Sequence, residues 1–229
     1  MKHDLQDIID IATLPLVHRV RSGSAAHGPC LLLLHGVGAN EAGLIHFAEA
    51  QDPRLTVILA RAPLAFGPGQ YGWFQVRFTA EGPAINPQQA EQSRQTLVDF
   101  IDSLPAAYGV DRQRIWIAGF SQGGILSASV GLTRPDKVAG FGILSGRILP
   151  EIAPLIAPAT QLADLHAFIS HGVSDSKLTI EFARKAQSQL TAASVRLAYH
   201  EYPADHELTP AMQRDFHDWL QQQIDGTPA

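Results

Sequence analysis

Short apolar runs recur along the chain, and the segments between them carry apolar residues at a helical spacing. Cys30–Leu34 is an uninterrupted apolar run, which is typical of a strand buried on both faces of a parallel sheet. Leu97, Phe100, Ile101 and Leu104 have the i, i+3, i+4, i+7 spacing of a helix with one buried face. Because strands alternate with helices throughout, the pattern predicts an α/β fold with a mainly parallel central sheet and helices on both faces.

The same hydrophobic pattern predicts where each strand and helix lies in the sequence. Strands are predicted at 14–22 (antiparallel, or part of a hairpin), 30–34, 55–60, 114–118, 139–144, 166–170 and 195–199. Helices are predicted at 43–51, 88–104, 122–130, 178–190 and 210–223. We interpret residues 1–229 as one α/β domain with an N-terminal extension at 1–13, although a chain of 229 residues would also accommodate two small domains.

Two connections are long. Residues 63–87 show no sustained period but contain Tyr71, Trp73, Phe74 and Phe78. Irregular connections of this length are usually functional or disordered, and so many aromatic residues argue against disorder. We therefore expect 63–87 to form a pocket wall, the alternative being that its aromatic residues only attach a long loop to the core.

The second long connection covers residues 146–165. Its prolines at 150, 154 and 158 exclude a long helix. The segment is predicted to be either a partial lid or a surface loop.

The most informative motif is Gly119-Phe120-Ser121-Gln122-Gly123, a G-x-S-x-G sequence between a predicted strand and a predicted helix. A serine on so sharp a turn has a strained backbone, and only glycines at 119 and 123 let the flanking chain pass. The helix starting at Gln122 directs free N–H groups and the positive end of its dipole toward the same point. This context predicts that Ser121 is a nucleophile, and the alternative is a Gly/Ser turn without chemistry.

A second glycine-containing loop, His35 to Asn40, follows the strand 30–34. Ligands of open α/β sheets bind at this edge of the sheet. A dinucleotide-binding loop is excluded because the third glycine would be at position 41, which is Glu41. We expect the Val37 amide to turn toward the site, with Gly36 and Gly38 permitting the turn, unless the loop is an ordinary strand-to-helix connection.

A nucleophilic serine needs a histidine base, and the base needs an acid that fixes its tautomer. Hydrolases with this type of turn carry the three in the order serine, acid, histidine. Asp175 follows the predicted strand 166–170, and His206 follows the predicted strand 195–199. Both loops leave the same edge of the sheet as Ser121, so the sequence predicts a Ser121, Asp175, His206 triad.

Other titratable residues near these positions fit catalysis less well. Asp205 and Glu207 flank His206, but a sequence neighbour cannot easily align the ring. His35 and His171 each precede a glycine and are expected to hold loops by hydrogen bonds. His206-Glu207 begins like a zinc-binding helix motif, but the second histidine is replaced by Pro210, so we expect no metal.

Composition narrows the function class. The net charge is −5, from 17 basic and 22 acidic residues without runs, so nothing indicates nucleic acid or an anionic membrane as a partner. Cys30 is the only cysteine, which excludes an internal disulfide, and it is expected to be an inert core residue. The N-terminus is unlike a signal peptide and no apolar stretch approaches a membrane span. We expect a cytoplasmic protein with a small-molecule substrate, no stable membrane insertion, and a homodimer as an open possibility.

From about Cys30 to Leu220 the chain resembles the carboxylesterase/phospholipase family of α/β hydrolases, which includes acyl-protein thioesterases. The resemblance rests on these segments: Leu34-His35-Gly36-Val37-Gly38, Trp73-Phe74, Gly119-Phe120-Ser121-Gln122-Gly123-Gly124, Leu144-Ser145-Gly146, His171-Gly172 with Asp175, and His206. It implies the triad named above and an oxyanion hole formed by the backbone amides of Val37 and Gln122. The chain departs from the family pattern at Gln75 and at Ala204-Asp205, both in loops expected to shape the pocket.

Together these features predict an α/β-hydrolase fold and a serine hydrolase that needs no cofactor. Its substrate is expected to be an ester or thioester of a short to medium acyl group, cleaved through an acyl-enzyme intermediate. Gly36, Trp73, Phe74 and Leu178 are the expected substrate-binding residues. Two alternatives stay open: a peptidase or lactonase on the same fold, and a non-catalytic binding protein that uses this scaffold.

Overall fold

The computed structural model describes residues 4–5, 7–79 and 82–226. Its strands are β1 (His18–Arg21), β2 (Cys30–Leu34), β3 (Thr56–Ala60), β4 (Leu64–Gly67), β5 (Gln70–Gly72), β6 (Val76–Thr79), β7 (Gly82–Ile85), β8 (Ile115–Phe120), β9 (Gly140–Leu144), β10 (His166–Gly172) and β11 (Arg196–Tyr202). Its α-helices are α1 (Ile45–Glu49), α2 (Pro87–Tyr108), α3 (Gln122–Thr133), α4 (Ala159–Leu162), α5 (Ile180–Ala192) and α6 (Pro210–Asp225). Short 3₁₀ helices cover Glu41–Leu44 and Pro150–Leu155.

Seven strands form the central sheet in the order β1-β3-β2-β8-β9-β10-β11. Every neighbouring pair is parallel except β1 and β3, which are antiparallel. The mainly parallel sheet predicted from the alternating pattern is therefore confirmed. The opening strand is shorter than the predicted 14–22, and an isolated bridge joins Ile9 to His18 ahead of it.

Alternate residues of each inner strand face opposite layers of helices. In β2, Leu31 and Leu33 pack into a core that includes residues of α1 and α6, whereas Cys30, Leu32 and Leu34 pack into a core that includes residues of α2, α3 and α5. All five residues of β2 are completely buried. An apolar run without polar interruption is what such a two-sided burial requires, and the predicted helices on both faces are confirmed.

The connection 63–87 is more regular than its sequence suggests. It contains two hairpins, one formed by β4 with β5 and the other by β6 with β7. Their strands are three or four residues long, too short to display a period of two, and Pro83 lies within β7. The prediction of an irregular connection was therefore wrong.

Helix α2 extends four residues beyond the predicted 88–104 at its C-terminal end. It continues through Pro105 to Tyr108 and ends at Gly109, whose φ of 64° is left-handed. A proline so close to the end removes only one hydrogen bond of the last turns, which the packed helix tolerates.

Residues 146–165 contain the 3₁₀ helix 150–155 and the short helix α4. Ile152 and Leu162 are buried, and the Ala157 amide donates to the Leu132 carbonyl of α3 at 2.9 Å. The segment thus packs against α3, and its movement as a lid stays a prediction. No helix in the described part of the chain is long and apolar enough to cross a bilayer.

Candidate active site

Ser121 lies on the turn between β8 and α3 in a backbone conformation that few residues other than glycine adopt. Its φ is 55° and its ψ is −115°, and its amide donates to the Leu144 carbonyl at 2.8 Å. A Cβ atom at Gly119 would lie 2.5 Å from the Gly123 carbonyl carbon, and one at Gly123 would lie 2.1 Å from the Leu34 carbonyl oxygen. The turn therefore requires glycine at both positions, and the surrounding structure holds the strain at Ser121.

A continuous line of hydrogen bonds leads from Ser121 into the protein. The Ser121 Oγ lies 2.9 Å from His206 Nε2, and His206 Nδ1 lies 2.7 Å from Asp175 Oδ2. The Asp175 side chain is fully buried, whereas 16% of the His206 side chain is exposed. A carboxylate only accepts, so Nδ1 carries the proton and Nε2 presents a lone pair to the serine hydroxyl.

The surroundings of Asp175 favour its ionised form. Oδ1 accepts from the amides of Lys177 at 2.9 Å and Leu178 at 2.8 Å, and Oδ2 lies 3.3 Å from His171 Nε2. Burial by itself favours the neutral acid, but hydrogen bonds from His171, His206 and these two amides outweigh it and hold the Asp175 pKa well below its usual range. The carboxylate is therefore charged at neutral pH.

The neighbouring candidates occupy other positions. Asp205 accepts from the Ser176 amide at 2.7 Å, is exposed, and makes no hydrogen bond to the His206 ring in the described structure. His171 is fully buried and donates from Nε2 to the Leu178 carbonyl at 2.7 Å. The structure thus brings Asp175, rather than Asp205, to the ring, and His171 Nε2 lies 3.3 Å from Oδ2, the same carboxylate oxygen that faces the ring.

Two backbone amides next to Ser121 have no acceptor among the described residues. Gln122 is the first residue of α3, and Val37 lies in the loop after β2. Both residues line the same pocket as Ser121. A Cβ atom at Gly36 would lie only 3.3 Å from the Ser121 Cβ, so the loop passes directly beside the serine. The structure thus brings both predicted oxyanion-hole residues to the pocket of Ser121.

Comparison with known proteins gives the family. The model of the phospholipase/carboxylesterase family matches residues 17–224. The chain belongs to this family.

Acyl-protein thioesterase 1 of Mycosarcoma maydis is 28% identical over 222 residues, covering 85% of this chain and 90% of its own. Carboxylesterase SOBER1 of Arabidopsis thaliana is 25% identical over 211 residues, covering 86% and 91%. The Bacillus cereus carboxylesterase structure superposes with a TM-score of 0.78 at 25% identity, covering 90% of this chain and 93% of its own. The protein therefore has the α/β-hydrolase fold and is an esterase-type hydrolase.

This member of the family has a small, mostly apolar pocket beside Ser121. The pocket has a cavity volume of about 20 Å³ and is lined by Phe74, Ile125 and Leu178. The β6–β7 hairpin completes the wall with Val76, Phe78, Pro83 and Ile85. Two of the predicted substrate-binding residues, Phe74 and Leu178, thus line the pocket, and the hairpin residues beyond Phe74 were not singled out from the sequence.

Trp73 occupies a different place in the esterase from the one expected. It is completely buried and does not line the pocket, so direct contact with substrate is not supported. Its backbone amide donates to the Gln122 side chain at 3.0 Å, and its indole N–H donates to the His35 carbonyl at 2.9 Å. The Gln122 side chain also donates to the Phe74 carbonyl at 2.7 Å. Trp73 therefore holds together the segments that carry the two free amides.

His35 has the contacts expected of a residue that holds loops. Its Nδ1 donates to the Gly36 carbonyl at 2.7 Å, and its Nε2 accepts from the Ala62 amide at 3.0 Å. Burial lowers the pKa of the His35 ring, which favours the neutral form that these two hydrogen bonds require. His35 thus fixes the start of the loop that carries Val37.

Arg147 is a pocket residue that the sequence analysis missed. It lies three residues past the end of β9, at the edge where parallel α/β sheets bind ligands. The sequence signal that could have identified Arg147 is a single cation in an otherwise apolar segment at this edge. The described residues contain no cluster of three or more histidine, cysteine, aspartate or glutamate side chains arranged to hold a metal ion.

Proposed function

We propose that the protein is a serine esterase that hydrolyses carboxylic esters or thioesters of short to medium acyl groups through an acyl-enzyme intermediate. The observation that carries the proposal is the unbroken line of hydrogen bonds from Ser121 through His206 to the buried Asp175. A protein that only bound ligands would have no use for the strained backbone of Ser121.

In the first step the Ser121 Oγ attacks the carbonyl carbon of the substrate and His206 Nε2 takes the hydroxyl proton. The carbonyl oxygen becomes negative and accepts hydrogen bonds from the Val37 and Gln122 amides. When the tetrahedral intermediate collapses, the bond to the leaving group breaks and the imidazolium gives its proton to the departing alcohol or thiol. Asp175 stabilises the imidazolium while it exists.

In the second step water attacks the acyl-enzyme while His206 takes one of its protons. The same two amides again stabilise the oxyanion. The bond from Ser121 Oγ to the acyl carbon then breaks, His206 returns the proton to the serine, and the carboxylic acid leaves. No redox or metal chemistry enters either step.

The pocket supports the preference for shorter acyl groups. Its cavity volume of about 20 Å³ lies far below the roughly 300–1,000 Å³ of typical small-molecule sites, so the pocket as it stands has room only for a short acyl group. The Leu178 amide donates a hydrogen bond to Asp175 Oδ1, so this part of the pocket wall is fixed next to the proposed acid. Long chains would have to displace the β6–β7 hairpin or extend into solvent.

The test is hydrolysis of ethyl and thioethyl esters of acids from two to twelve carbons, followed by release of acid. We expect kcat/KM to be highest for short to medium chains and Ser121→Ala to be inactive. Ser129→Ala is the matched control, because Ser129 is another buried serine on α3 that donates only to the Ile125 carbonyl, at 2.8 Å. Activity that persists in Ser121→Ala would refute the nucleophile, and absence of any ester hydrolysis would favour a binding protein.

A further inference from the structure

Arg147 places a positive charge in the pocket that contains Ser121. Only 9% of the residue is exposed, and among the described lining residues it is the single charged one. The others are apolar, apart from Ser121 and the neighbouring Gln122. The pocket thus combines a nucleophile, an apolar wall and one guanidinium.

The guanidinium lacks the partners that a buried arginine normally has. Nη2 donates to the Pro83 carbonyl at 3.3 Å, and the buried Nε has no acceptor among the described residues. The central carbon of the guanidinium, Cζ, lies over the Phe182 ring, 5.0 Å from its centroid. In the described part of the chain no carboxylate lies close enough to form an ion pair with it.

Such an arrangement is unfavourable for the protein alone. Burial lowers the pKa of Arg147, and among the described residues only the negative charge of Glu151 opposes this effect. A buried charge is normally paired, because its lost hydration has to be replaced by hydrogen bonds and a counterion. An acceptor brought by the substrate would supply both.

We propose that Arg147 binds a carboxylate at the far end of the acyl group, so that the preferred substrates are monoesters or monothioesters of short dicarboxylic acids. This proposal rests on the proposed esterase function. The acyl group is the part of the substrate that stays bonded to Ser121 through both steps, so we assign the pocket beside Ser121 to it. A planar carboxylate matches a single guanidinium fork, whereas a phosphate dianion would need further donors that the apolar lining does not offer.

The first test compares the monoethyl esters of succinate, glutarate and adipate with neutral esters in which a methyl ketone replaces the carboxylate. We expect the wild-type protein to favour one charged ester over its neutral partner by roughly 10- to 100-fold in kcat/KM, the range of a charge-assisted hydrogen bond. In Arg147→Gln this ratio should fall to about 1 or below, mainly through KM, and Arg147→Lys should restore part of it.

Arg77→Gln is the matched control. Arg77 is an exposed cation on β6, in the same hairpin that walls the pocket, so its removal changes the net charge near the site equally. The ratio should stay at its wild-type value in this variant. A fall in Arg77→Gln as large as that in Arg147→Gln would show a diffuse electrostatic effect and overturn the assignment to Arg147.

The second test is independent of catalysis. Glutarate should raise the melting temperature of the wild-type protein but not of Arg147→Gln, and inorganic phosphate should raise neither. The unliganded variant should melt no lower than wild type, because it loses a buried charge without an ion-pair partner. A lower melting temperature with an unchanged substrate ratio would show that Arg147 is structural, and stabilisation by phosphate alone would overturn the carboxylate.

The outcomes separate the two proposals. If neutral esters are hydrolysed through Ser121 but no charged ester is preferred at any length, the role of Arg147 is refuted and the esterase stands. The same holds if the preference appears only for an ester whose alcohol carries the carboxylate, such as the acetyl ester of 3-hydroxypropanoate. If no ester of either kind is hydrolysed, the proposed function itself fails.

Discussion

Replacing Asp175 by asparagine changes one group beside His206 and leaves the shape of the site almost unchanged. Oδ1 of Asp175 accepts from the amides of Lys177 and Leu178 at 2.9 and 2.8 Å. An asparagine keeps both hydrogen bonds only if its carbonyl oxygen takes that position. Its NH₂ group then replaces Oδ2, which is 2.7 Å from His206 Nδ1 and 3.3 Å from His171 Nε2.

An NH₂ group only donates, so in Asp175→Asn the His206 Nδ1 must accept and the ring proton moves to Nε2. Nε2 then points a proton at Ser121 and is unable to act as the base. By comparison with other triads that carry this change, we expect kcat to fall by about 10⁴-fold, which corresponds to roughly 5 kcal/mol of transition-state stabilisation. The donor-to-donor contact with His171 should also cost about 1–3 kcal/mol of folding free energy.

The assay is ester hydrolysis under saturating substrate, with thermal melts to show that both variants are folded. Asp205→Asn is the control, because Asp205 accepts from the Ser176 amide at 2.7 Å and is exposed. Its kcat should stay within about threefold of wild type, as for a surface charge near the site. If Asp205→Asn lost most of its kcat while Asp175→Asn kept a nearly wild-type kcat, the acid would lie on the other loop.

Two further variants test the framework around the site. Gly123→Ala should unfold the protein or lower its free energy of unfolding by more than about 3 kcal/mol, because the new Cβ would lie 2.1 Å from the Leu34 carbonyl oxygen. Gly43→Ala is the control and should melt like wild type, because its new Cβ would have no neighbour within 4 Å. Glu41→Gln should make stability less sensitive to acid. Burial opposes ionisation of Glu41, but hydrogen bonds led by that from Arg61 lower its pKa. The stabilisation by the Glu41 carboxylate is therefore fully present above the ordinary glutamate pKa and is lost as pH falls from that value through the lowered pKa. Melting temperature against pH measures this, and equal slopes for wild type and Glu41→Gln would contradict it.

The sequence predicts the positions of Ser121, Asp175 and His206 because one physical rule governs all three. Each follows a strand of the same parallel sheet, and the carboxyl ends of parallel strands meet at one edge. The glycine spacing at 119 and 123 adds a steric requirement that few other turns share. Local pattern was therefore sufficient to predict that three residues far apart in the chain lie within hydrogen-bond distance of one another.

The pocket is predicted less well because its contacts are not local. The Arg147 guanidinium meets the Pro83 carbonyl, 64 residues away, and no periodicity reports such a contact. The hairpin that holds Pro83 has strands of four residues, below the length at which alternation becomes visible. Trp73 shows the opposite problem, since an aromatic residue in a pocket loop has the same sequence signal whether it faces the substrate or the core.

The central claim is that Ser121 is an activated nucleophile, and a fluorophosphonate probe tests it most directly, because only an activated serine attacks such a phosphorus centre. Intact-mass measurement should show one probe on each chain, and peptide mapping should place it on Ser121. Ser121→Ala should stay unlabelled, and Asp175→Asn should react far more slowly than wild type. Wild-type protein that takes up no probe, or Ser121→Ala that is labelled as fast as wild type, would contradict the account.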